Sequence, residues 1–103
     1  MRTMNNGVRI ELAKLWRENV RKIIGLMPFG QCDIAKEMGF TSQSFTHMLN
    51  NKDFHLTNLQ FFSSMFVLKE MIVEADVKDF RIKEIAEEAL HEIYLEYKEN
   101  GIY

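Results

Sequence analysis

The stretch IAKEMGFTSQSFTHMLNNK, residues 34–52, decides how this chain is read. It holds two short apolar patterns, Ile34, Ala35 and Met38, then Phe45, Met48 and Leu49, with the lone glycine Gly39 between them. Both patterns have helical spacing, which predicts helices over 31–38 and 42–50. Glycine tolerates the left-handed backbone of a tight helix exit, so Gly39 ends the first. Thr41 is a good N-cap for the second, and Asn51 suits a left-handed position at its end. Once Phe45, Met48 and Leu49 point inward, Ser42, Gln43, Ser44, Thr46 and His47 are left to face outward. Not one of these is acidic, and none is Lys or Arg.

Working outward, residues 8–26 read as a helix with an apolar stripe of Val8, Leu12, Leu15, Trp16, Val20, Ile23 and Ile24. Pro28 lies just past its end. Thr57 can cap a further helix over 58–69, with Leu59, Phe62, Met65, Phe66 and Leu68 as apolar positions. Residues 71–77 fit a short strand, an extended link or a continuation of that helix. A last helix over 80–99 carries the stripe Ile82, Ile85, Ala89, Ile93 and Tyr97, with glutamates over the remaining surface.

With 103 residues, 47% hydrophobic and 27% charged, the chain is expected to pack as one domain. One proline and five glycines favour helices over a many-stranded fold. The single cysteine, Cys32, has no intramolecular disulfide partner. No stretch reads as a signal peptide or a membrane span, and a cytoplasmic setting is the expectation. Net charge is -2 but unevenly spread. Residues 1–52 hold eight Lys and Arg against four Asp and Glu, and residues 53–103 hold five against eleven. A basic half joined to an acidic half points to a nucleic-acid-facing end and a differently employed end.

The constellation Gln31, Ala35, Gly39, Thr41, Phe45 and Met48 resembles the helix-turn-helix of the Cro/cI-type, lambda-repressor-like DNA-binding family. The resemblance runs on through Asn50, Asn51 and Lys52 and into Leu56-Thr57-Asn58-Leu59, and covers roughly residues 8–68. Phe45 is larger than the usual Val or Ile, Asn51 replaces the usual Gly, and the acidic tail from residue 70 has no counterpart. The resemblance implies an all-α helix-turn-helix bundle of four to five helices with an additional C-terminal helix. The expected division is a DNA-binding domain over 1–69, with its motif at 31–52, and an acidic segment over 70–103. It also implies a transcriptional regulator, most often prokaryotic or phage, and most often a repressor acting as a homodimer on a palindromic operator. Ser42, Gln43, Ser44 and His47 are then the candidates for base contacts, Gln43 foremost, since an amide pairs with adenine N6 and N7. Gln31, Thr41, Thr46, Asn51, Lys52, Arg17, Arg21 and Lys22 are the candidates for the DNA backbone. Ile82, Ile85, Ala89, Ile93 and Tyr97 are expected to form the dimer face. The alternative is an antitoxin or other interaction module whose C-terminal helix binds a partner protein.

Enzyme chemistry has little in the sequence to support it. Ser44 and His47 lack a third group and an oxyanion-stabilising loop. His47, His55 and His91 lack metal-ligand spacing, so no metal or cofactor is expected. Phe61, Phe62 and the seven methionines read as core filling.

Overall fold

The computed structural model describes residues 7–100. Among them are five helices: α1 (Ile10–Leu26), α2 (Gln31–Met38), α3 (Ser42–Asn50), α4 (Asn58–Glu74) and α5 (Phe80–Asn100). No strand occurs among the described residues beyond an isolated bridge of Gly7 with Thr57. The fold is all-α. The outer ends of the two expected segments, residues 1–6 and 101–103, lie outside the described residues.

Local signals set the helix ends. Gly39 has φ of 82°, and the Phe40 N–H donates to the Ala35 carbonyl while the Gly39 N–H donates to that of Lys36. This pair of bonds satisfies carbonyls that the end of α2 would otherwise leave open. The Thr41 hydroxyl accepts from the Ser44 N–H at 3.0 Å and starts α3. Thr57 and Gln60 exchange bonds at the start of α4, a reciprocal capping box. Asn51 departs from the sequence reading. Its φ is -97°, in the extended region, because its side chain is engaged with the Asp53 N–H and its own N–H reaches the His47 carbonyl.

Helix α1 is the axis of the molecule, with α5 packed along it and α3 against it. Trp16 is fully buried at the junction. Its ring meets Phe45 of α3 edge-on at 6.1 Å, and its Nε1–H donates to Ser64 Oγ of α4 at 2.8 Å. Ser64 in turn donates to the Phe61 carbonyl, so the buried polar atoms are all paired there. Asn19, also buried, donates to the Ala89 carbonyl and to Glu92 of α5, each at 2.8 Å.

This packing decides one open reading and revises two expectations. Residues 71–74 continue α4 and residues 75–79 form the link, with Lys83 Nζ donating to the Val73 and Ala75 carbonyls at the helix end. A boundary at residue 69/70 therefore falls inside a helix. In α4 the buried residues are Phe61, Ser64, Leu68 and Ile72, while Leu59, Phe62 and Phe66 stay exposed. In α5 the stripe expected at a dimer face is used within the chain. Ala89 and Ile93 are buried, Ile82 and Tyr97 pack on the same core, and only Ile85 is substantially exposed. The bare side of α1 needed cover, and α5 supplies it.

Candidate nucleic-acid interface

Nine residues are too few for a helix to stand alone in water, so α3 takes its place from what it packs against. Phe45, Met48 and Leu49 are buried and fix one face. Ser42, Gln43, Ser44, Thr46 and His47 are exposed on the other. Of these, the side chains of Ser42 and Gln43 make no hydrogen bond within the described residues and keep their full donor and acceptor sets available.

The other members of the face are partly engaged. Ser44 belongs to the cap, since its N–H and its hydroxyl both meet Thr41 Oγ1 at 3.0 Å. Thr46 donates to Gln31 Oε1 at 3.0 Å, which ties α3 to the first turn of α2 and leaves the Gln31 amide NH2 without a hydrogen bond among the described residues. His47 stands edge-on to Phe54 at 5.1 Å and lies 3.3 Å from Asn51 Nδ2. The imidazole is thus oriented by two neighbours while one side remains exposed. Thr41, Gln43, Ser44, His47, Asn51 and Lys52 line a shallow open groove along this face.

The basic residues among the expected backbone contacts divide into three kinds. Lys22 and Lys52 are exposed and unengaged among the described residues. Arg21 is exposed too, but its guanidinium donates to the Leu49 carbonyl at 2.6 Å and to Asn50 Oδ1 at 3.1 Å. Arg17 is a correction. It is only 7% exposed, and its guanidinium donates to the Met48 carbonyl at 3.2 Å and the Phe54 carbonyl at 3.0 Å. Burial pushes its pKa below the ordinary arginine value and the nearby Arg21 charge acts the same way, against the opposing pull of Asp53. Arginine still keeps its proton, so two cations face the carbonyls at the C-terminal end of α3. That end carries the negative pole of the helix, and the pairing is favourable.

The parts that Arg17, Asn50 and Phe54 play in seating α3 escaped the sequence reading. For Arg17 a signal was present, since it lies four residues after Ala13 and three before Val20, both buried, on the inner side of α1. Phe54 offered none, because a lone aromatic in a loop is as often core as clamp.

No group of His, Cys, Asp and Glu that could hold a metal ion occurs among the described residues. No described helix is long and apolar enough to cross a membrane. In comparisons with known proteins, no family model, curated protein or solved structure matches the chain.

Proposed function

We propose that this chain is a sequence-specific regulator that binds double-stranded DNA, a repressor acting as a homodimer on a palindromic site, with α3 as its reading helix. The observation that carries the reading is the exposed face of α3, uncharged but dense in hydrogen-bonding groups, on a helix anchored by two arginines. The spacing of Gln31, Gly39, Thr41 and Phe45, like that of a lambda-repressor-like helix-turn-helix, supports it as well.

The mechanism follows from groove geometry. The major groove admits a helix and displays a distinct donor and acceptor pattern for each base pair. Lysines across such a face would hold any phosphate, whereas neutral amides and hydroxyls distinguish base edges. Gln43 is the principal reader, with Ser42 and His47 beside it and Ser44 mainly a capping residue. Lys52 and the Gln31 amide serve as the flanking phosphate contacts, and Lys22 and Lys36 add attraction without register. Occupying a promoter would then block transcription, and two copies would read half-sites about one helical turn apart.

A second reading rests on the outer face of α5, where Glu84, Glu87, Glu88 and Glu92 are exposed. Such a face steers a basic partner, as an antitoxin would. Selection of bound duplexes from a randomised library across a salt series separates the two. An enriched inverted repeat whose binding weakens steeply with salt supports the regulator. No enrichment even at low salt, together with a stable complex with a basic protein, would replace it with the second reading.

A further inference from the structure

Helix α4 is apolar on two opposite sides. Phe61, Leu68 and Ile72 are buried in the core, yet Leu59, Phe62, Phe66 and Val73 remain 73%, 43%, 65% and 54% exposed. These four follow each other at three, four and seven residues, so they form one narrow stripe along the outer side. Phe62 meets Tyr97 edge-on at 5.2 Å, which carries the patch onto α5 at the exposed Tyr94. A helix apolar on both sides is a buried element, and a contiguous exposed apolar patch marks an interaction surface.

We infer that this stripe is covered by the same stripe of a second copy of the chain. Charge selects that occupant. The outer face of α5 is acidic and would repel its own copy, while the surface of α1 mixes Lys14, Arg21 and Lys22 with Glu11 and Glu18. The α4 stripe is uncharged and flanked by Lys69 and Glu70, one charge of each sign, and so is compatible with itself. A basic or an acidic partner would find its complement elsewhere on the molecule. The spacing also fits. Leu59, Phe66 and Val73 are seven residues apart in turn, so with the two α4 helices antiparallel a twofold axis at Phe66 sets Phe66 level with its copy and Leu59 level with Val73. Four side chains and an aromatic rim place the interface at the small end of specific contacts, below about 1,200 Å² in total, so the pair dissociates on dilution. This supplies the contact that the two-copy part of the proposed function needs, in place of the α5 stripe, and it is tested without DNA.

The test is sedimentation equilibrium of the full chain over a wide concentration range. Wild type should move from one to two chain masses. Phe66→Glu should raise the dissociation constant at least tenfold while helical circular dichroism and Trp16 fluorescence are unchanged. Leu59→Lys, at a still more exposed site, repeats the measurement should Phe66→Glu fold poorly. Ile10→Glu, which replaces an apolar residue 81% exposed on α1, should associate as wild type does. A wild type that stays monomeric at hundreds of micromolar would overturn the inference, as would association unaffected by both stripe variants. DNA selection can fail while this association stands, and the reverse, so the two proposals are judged separately.

Discussion

The short helix α3 and the long helix α5 lie against the same central helix, α1, and are held there by different physics. Helix α5 spans 21 residues and is fixed by an apolar stripe, with Ala86, Ala89, Leu90 and Ile93 buried. Its directional anchors are the Asn19 amide of α1, on the Ala89 carbonyl and Glu92, and its own Lys83 ammonium, on the Val73 and Ala75 carbonyls where α4 ends. Helix α3 spans nine residues, buries three of them, and has two guanidinium groups on its terminal carbonyls. Apolar burial supplies most of the free energy but is non-directional. Charged hydrogen bonds add less, and they define where a helix end must be. A helix that only has to cover α1 can rely on the first. One that must present side chains to base edges within a fraction of an ångström needs the second.

The comparison is broken most forcefully at Ile93. Ile93→Ala removes a fully buried branched side chain between α5 and its neighbours, and should cost about 2–5 kcal/mol of stability in denaturant unfolding. The folded fraction should keep its selectivity among DNA duplexes. Selectivity that collapses along with stability would mean that α5 shapes the α3 surface, and that the division drawn between the two helices is false.

Arg17→Met is the next largest effect and the converse case. The aliphatic volume is kept, while the Met48 and Phe54 carbonyls lose their charged donor. Loss of hydrogen bonds to a charged group should cost about 1.5–3 kcal/mol. Here DNA affinity should fall more than the unfolded fraction accounts for, and equally over all sequences, because the whole helix loses its seat. Affinity that tracks stability alone would reduce Arg17 to an ordinary buried residue.

These residues also separate what was legible in the sequence from what was not. Helices α2 and α3 were legible to the residue because their ends rest on local chemistry, the positive φ of Gly39 and the hydroxyl of Thr41. Helix α4 was not, because apolar residues surround it and periodicity cannot choose which side is buried. The run at 71–77 was ambiguous for the same reason. The outward face of α3 followed directly from Phe45, Met48 and Leu49. What holds that face was legible only in part: the spacing puts Arg17 on the buried side of α1, but nothing in it names the distant carbonyls of Met48 and Phe54 as its partners.

Gln43→Ala sharpens the comparison from the outer side. Gln43 is exposed and unbonded, so unfolding should be unchanged. If its amide reads adenine, the loss is about 1–3 kcal/mol at one base-pair position and close to nothing elsewhere. A uniform loss over all positions would make Gln43 a backbone contact.

The smallest expected effect compares two threonines that perform the same local task. Thr41 caps α3 and Thr57 caps α4, each accepting the N–H three residues on. Substituting alanine at either should cost about 1 kcal/mol. The consequences should differ, because the two helices rely on their first turns differently. In α4 the Gln60 side chain still meets the residue 57 N–H, and four buried residues hold a helix of 17. In α3 the first turn has no return bond, and it carries Ser42 and Gln43. Thr41→Ala should therefore speed amide exchange at Ser44 and lower selectivity for the preferred duplex severalfold. Thr57→Ala, at equal loss of stability, should leave selectivity intact. Matching losses of selectivity would show that α3 responds to global stability, and that its arginine-held end alone fixes the reading face.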